Sequence, residues 1–117
     1  MGKNPIDISE TKCLNKKDIA NAEMRNCTLK ASESWDKELN KYYNLLKSKL
    51  PQESFEILQE SQKQWLKYRD QEYLFISNLY YEVKEGTIWY LIADNKKKEI
   101  VKERAIALQQ YYEMLDF

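Results

Sequence analysis

Apolar positions recur every three or four residues over most of the chain. From about Asp18 they run Met24, Cys27 or Thr28, Ala31, Trp35, Leu39, Tyr42 or Tyr43, Leu46 and Leu50. That period makes one apolar stripe along roughly eight or nine turns of α-helix. Asp18 is read as its N-cap. Pro51 ends it, because proline disfavours helical geometry in the residue before it. A second stripe follows: Phe55, Leu58, Gln62, Trp65, Tyr68 or Arg69, Glu72, Ile76, Leu79 and Val83. It predicts a helix with Pro51 at or near its first turn, where proline fits. The next break is Glu85-Gly86-Thr87, with Gly86 suited to the left-handed position after a helix and Thr87 to the following N-cap. A third helix runs from about Ile88 to Met114, with a polar gap at Asn95 to Glu99 that predicts a kink or an exposed middle.

Short turns set successive helices antiparallel. The pattern therefore predicts an all-α, up-down-up bundle of three long antiparallel helices. Its core is expected to centre on Trp35, Leu39, Leu46, Leu58, Trp65 and Leu108. Residues 1–17 are polar, carry Pro5 and read as an extended N-terminal arm; residues 18–117 read as a single helical domain. Two glycines and two prolines in 117 residues leave too few turn formers for a β-sandwich or barrel.

Charge narrows the function classes. The 19 basic and 19 acidic residues cancel, whereas a nucleic-acid binder concentrates basic excess on one face. The local stripe Lys96-Lys97-Lys98 with Lys102 and Arg104 is interrupted by Asp94, Glu99 and Glu103, and reads as a solvated helix face. No nucleic-acid partner is expected. No apolar run reaches the ~18 residues that span a bilayer. Myristoylation at Met1-Gly2 is not supported, because Ile6 stands where Ser or Thr is needed.

Catalytic chemistry is sparse. With no histidine, the common general base and the usual zinc and di-iron sets are missing. Glu53, Glu56 and Glu60 share one helix face, but a helix N-terminus attracts carboxylates without any metal. No Gly-rich loop exists to cradle phosphate. The sequence assigns no catalytic residue, no metal and no cofactor. Cys13 and Cys27 can form one disulfide or be two unrelated buried thiols. Asn26-Cys27-Thr28 matches the glycosylation triplet but falls within a helix. Tyr42-Tyr43, Tyr80-Tyr81, Trp89-Tyr90 and Tyr111-Tyr112 come as neighbours about 100° apart on a helix. One member of each pair is therefore a candidate interface anchor, against the alternative of amphipathic bundle edges. Arg69 and Asp70 are also adjacent, so each is expected to pair elsewhere, with Asn40 a candidate polar neighbour of the arginine.

One ordered set of residues resembles a known family. It comprises Cys13, Ala22-Glu23-Met24-Arg25-Asn26-Cys27, Asp36 with Glu38-Leu39-Asn40, Tyr43 and Leu46. Then come Leu58, Gln62, Trp65, Tyr68-Arg69-Asp70 and Gly86-Thr87-Ile88. These resemble the LprI-like lysozyme-inhibitor N-terminal domain of small secreted or lipid-anchored bacterial proteins, over about Cys13 to Leu108. The resemblance implies a Cys13–Cys27 disulfide that staples the N-terminal arm. It also implies a periplasmic, secreted or lipid-anchored location, with a secretion signal upstream and Met1-Gly2 as cloning residues. Leu39, Asn40, Gln62, Trp65, Tyr68, Arg69 and Asp70 become structural motif residues, with Arg69 and Asp70 holding helices in register. Family members often carry a second cysteine pair; Tyr73 and, approximately, Asn95 stand there instead.

The expected function is a non-enzymatic extracytoplasmic protein-binding domain with lysozyme as the candidate partner. The alternative is an envelope interaction or assembly module without inhibitory activity, homodimeric through the tyrosine pairs. A third class is an enzyme using carboxylates alone. Cleft-blocking groups project from loops and ends, which points to Pro51, Gln52, Glu85, Gly86 and Thr87 as partner contacts.

Overall fold

The computed structural model describes residues 4–116; Met1-Gly2 lies outside them. Four α-helices are present among the described residues: α1 (Pro5–Leu14), α2 (Asn21–Lys49), α3 (Gln52–Ser77) and α4 (Ile88–Met114). A π-helical segment, Asn78–Val83, continues α3. The all-helical expectation holds, but the three-helix count is corrected to four.

The extra helix lies in the stretch read as an extended arm. Asn4 accepts a hydrogen bond from the Ile6 N–H at 2.8 Å, and Pro5 opens the helix. An N-cap asparagine followed by a proline is a helix start signal in itself. The polar composition masked it, because this helix docks partly through charge. Asp18 is also reassigned. It sits at φ 57° in the connection before α2, which begins at Asn21 without a side-chain cap. Gly86 does take positive φ, at 108°. Thr87 occupies the N-cap position of α4, but its hydroxyl accepts from the Asn21 side chain at 3.1 Å instead of capping its own helix.

The core lies between α2 and α4. Trp35, Leu39 and Leu46 pack against Val101, Ala105 and Leu108. These helices run parallel: Asn21 meets Thr87, Arg25 meets Asp94, and Lys49 meets Asp116. α3 runs antiparallel to both, with Phe55 on Tyr43, Gln62 on Arg104 and Tyr73 on Lys97. α1 packs on the other side of the pair. Its Cys13 is bonded to Cys27, with the Cα atoms 5.7 Å apart, and Glu10 and Asp7 reach Lys98 and Lys102.

Leu58 and Trp65, expected in the core, are only partly buried against it. The reason is the placement of α3, whose buried side chains are Phe55, Gln62 and Ile76 alone. With helices laid side by side, the molecule is a slab of 50 × 32 × 18 Å. Its Cα radius of gyration is 16.5 Å, against about 13 Å for a compact domain of this length.

Candidate functional site

Helix α3 leans on α4 and stands away from α2. The space left is a groove of about 480 Å³ lined by Asp36, Leu39, Asn40 and Tyr43 from α2 and by Gln62, Trp65 and Arg69, among others, from α3. A second hollow continues it past Asp36 and Arg69 toward Leu29 and Tyr73, with Val101 of α4 at its floor. Spacing explains the convergence. Asp36, Leu39, Asn40 and Tyr43 lie three to four residues apart on α2, as do Gln62, Trp65 and Arg69 on α3, so each set shares one face. The structure thus brings together five of the seven expected motif residues.

Their environments differ. Leu39 is buried core that also lines the groove, and Asn40 is exposed. Gln62 is buried and its Oε1 accepts from Arg104 Nε at 2.8 Å. Trp65 lies between two guanidinium groups, Arg69 at 5.6 Å and Arg104 at 6.0 Å from its ring centre. Arg69 and Asp70, expected to pair elsewhere, pair with each other at 2.8 Å. The long arginine side chain curls back to its exposed neighbour while its guanidinium stays over Trp65 and Tyr73. Tyr68 does not join this groove; it lines another, against α4, and is 54% exposed.

The α3–α4 seam is built from cations on aromatic rings. Lys97 of α4 lies over Tyr73 and Tyr81 and Arg104 of α4 over Trp65, while Arg69 stacks within α3 on Trp65 and Tyr73. Arg25 lies over Tyr81 and Tyr90, so the alternation continues onto α2. Each such contact contributes roughly 0.5–2 kcal/mol, more as water is excluded. Tyr73 ties α3 to α4 by donating to the Lys97 carbonyl at 3.1 Å. Desolvation raises the pKa of Tyr73 and Tyr81 and lowers that of Lys97, whose ammonium donates to Ser77 Oγ. Burial likewise lowers the pKa of Arg104. Asp94 closes the series, accepting from Arg25 at 2.7 and 3.2 Å and from the Tyr81 hydroxyl at 3.3 Å.

The basic stripe of α4 is therefore not a solvated face. Lys98 is 5% exposed and bonded to Glu10 at 2.7 Å, and Lys102 bonds to Asp7 at 2.8 Å. α4 continues unbroken through the expected polar gap, whose middle is partly exposed at Asn95 and Lys96 while Lys98 turns inward to Glu10 of α1. Sequence reasoning missed Asp7 and Glu10, and with them the pairing of Arg25 with Asp94. Only helical spacing (Asp7 to Glu10, Lys98 to Lys102) hinted at the α1 contact.

The tyrosine pairs are largely internal. Tyr42 packs on Tyr112, Tyr43 on Phe55, Tyr80 on Trp89 and Tyr81 on Tyr90. Tyr111 is the outward member of its pair, 53% exposed. Pro51 and Gln52 are exposed at one end of α3, and Glu85, Gly86 and Thr87 at the other end of the molecule. The 26 residues of α3 separate them by about 39 Å at 1.5 Å per residue. No group of three or more His, Cys, Asp or Glu able to hold a metal occurs among the described residues. No described helix is long and apolar enough to cross a membrane.

The model of the family described as "Lysozyme inhibitor LprI" matches residues 13–108. No curated protein matches the chain. Among solved structures, an uncharacterised protein from Burkholderia thailandensis superposes with a TM-score of 0.90 at 28% identity. That match covers 97% of this chain and 56% of the other, so this chain spans little more than half the length of that relative.

Proposed function

The chain belongs to the LprI lysozyme inhibitor family, and from that premise we propose that it is a non-enzymatic, extracytoplasmic domain that binds and inhibits a lysozyme. The observation that carries this reading is the family match over residues 13–108. The Cys13–Cys27 bond supports an oxidising compartment, periplasmic or outside the cell, where such bonds persist.

Occupying an enzyme cleft needs an element that projects. The two ends of the slab lie too far apart to enter one cleft together, and the Glu85-Gly86-Thr87 end is the better supported. Val83 and Ile88 flank it at 64% and 56% exposure, so an apolar surface stands ready for burial there. The Pro51-Gln52 end has exposed apolar residues too, Ile57 and, beside the Lys49–Asp116 pair, Leu115, but none adjoins Pro51 or Gln52 in the chain, where Leu50 is partly buried. Of the groove motif residues, Gln62 and Trp65 tie α3 to Arg104 of α4; in this reading the motif residues do not enter the enzyme.

Stoichiometric protein is expected to slow lysozyme hydrolysis of cell walls. Gly86→Ala, strained at a φ of 108°, is expected to weaken inhibition while leaving helix content unchanged. Micromolar protein that leaves several lysozyme types fully active, with no binding heat in calorimetry, would end this reading in favour of an envelope assembly module.

A further inference from the structure

The outer side of the α3–α4 seam carries a second groove, of about 460 Å³, on the face away from the family motif groove. Tyr68, Phe75 and Leu79 come from α3 and its π-helical continuation, at spacings of seven and four residues. Ile76, Tyr80 and Ile100 complete the apolar lining. Phe75 is 56% exposed and Tyr68 is 54% exposed, large values for aromatic rings with an interior within reach. Their neighbour Leu74 is 64% exposed. An aromatic patch of this kind, rimmed by charge, marks an interaction site.

The rim has one dominant sign. Glu72, Glu99 and Glu103 line it, with Lys96 as the single cation and Asn95 as a neutral polar group. Glu99 is 3.4 Å from Lys98, which is itself bonded to Glu10; Glu72 and Glu103 have no ion-pair partner among the described residues. The chain as a whole is neutral, so this surplus is local.

We propose that this groove docks a cationic protein surface, with an apolar side chain seated on Phe75 and Tyr68 and lysine or arginine groups facing Glu72 and Glu103. Charge complementarity decides against a second copy of the chain. A two-fold contact through this face would set the same carboxylates against one another, which costs binding energy. The proposal deepens the inhibitor reading by adding, beside the Glu85-Gly86-Thr87 end, a binding face along α3 and α4 with a stated partner chemistry, and it rests on that reading only where the cationic partner is a lysozyme.

Two probes separate the questions: a cationic lysozyme, and a short helical peptide of lysine and leucine with its glutamate–leucine counterpart as control. Two variants interrupt the groove without touching the core: Phe75→Ser, and Glu72→Lys with Glu103→Lys. Circular dichroism checks that each retains helix. Wild-type protein is expected to bind the lysine–leucine peptide and not its acidic counterpart. Each variant is expected to weaken binding at least about tenfold, and binding should weaken as added salt shortens the screening length below ~10 Å, its value near ~0.1 M. Peptide binding that depends on Phe75 and Glu72, without lysozyme binding, keeps the groove and removes the lysozyme. Lysozyme binding that both folded variants retain overturns the groove and leaves the inhibitor reading intact. Binding of neither probe overturns both. A dimeric wild type made monomeric by Phe75→Ser would assign the face to a second copy and overturn the proposal.

Discussion

Trp35 is 1% exposed, seated among Leu39, Val101 and Ala105, with the Lys102 ammonium 5.6 Å from its ring centre. Its indole N–H finds no acceptor among the protein groups, a cost of about 1–3 kcal/mol that burial of the ring must offset. Trp35→Ala is expected to cost about 3–5 kcal/mol, the range for a fully buried aromatic. Trp65→Ala should cost clearly less, about 1–3 kcal/mol, because the ring is only partly buried and two arginines lose a stacking face. Urea unfolding of the two variants checks the order, and equal losses would place Trp65 in the core after all. Titration adds a second residue-level expectation. The pKa values of Tyr73 and Tyr81 are raised in the folded state, chiefly by desolvation. The unfolded chain therefore releases phenol protons first, from about pH 10. The stabilisation is complete below that value and is lost as pH rises through the folded-state pKa. Lys97, lowered by burial, acts oppositely, gaining stability as pH rises toward the unfolded ammonium value. Above pH ~10 the melting temperature should fall, and fall less steeply in Tyr73→Phe/Tyr81→Phe protein. Parallel profiles would mean that the two phenols are not desolvated.

Helix α1 is the element whose attachment depends most on a few bonds. It is held by the Cys13–Cys27 bridge, a buried ion pair, Glu10–Lys98, and a partly exposed one, Asp7–Lys102. Closing a loop of this length contributes about 3 kcal/mol in the chain-entropy model. Cys13→Ser/Cys27→Ser protein should lose roughly that amount in urea unfolding, and an unchanged midpoint would show that the ion pairs alone hold α1. Removing one member of the buried pair, as in Lys98→Met, leaves Glu10 uncompensated and should cost about 3–5 kcal/mol. Glu10→Leu/Lys98→Met should recover most of it, since a buried pair often does no better than apolar residues of similar volume. A double variant as unstable as the single one would show that the pair contributes net stability here.

At the scale of the molecule, the slab shape follows from α3 packing on α4 through polar and cation–aromatic contacts, while α3 meets α2 near Phe55 and stands off from it along the groove. Small-angle scattering from monomeric protein should return a radius of gyration nearer the 16.5 Å of the Cα trace than about 13 Å. A value near 13 Å would mean that α3 closes onto α2 in solution and the motif groove is shut. The three long helices were legible from local pattern alone, since each rests on a helical period and on a stop at Pro51 or Gly86, and the expected third span matches Ile88–Met114. The same pattern also determined that Trp35, Leu39, Leu46 and Leu108 face inward. The α1 helix was legible in Asn4-Pro5 but hidden by polar composition. Packing was needed to settle that Lys98 is buried, that Arg69 turns to Asp70, that Trp65 and Tyr68 line different grooves, and that a groove separates α2 from α3. The physical reason is the same in each case. A period reports which face of a helix is apolar, whereas long charged side chains and the stand-off between helices depend on partners far away in the chain, and those meet only once the helices have packed.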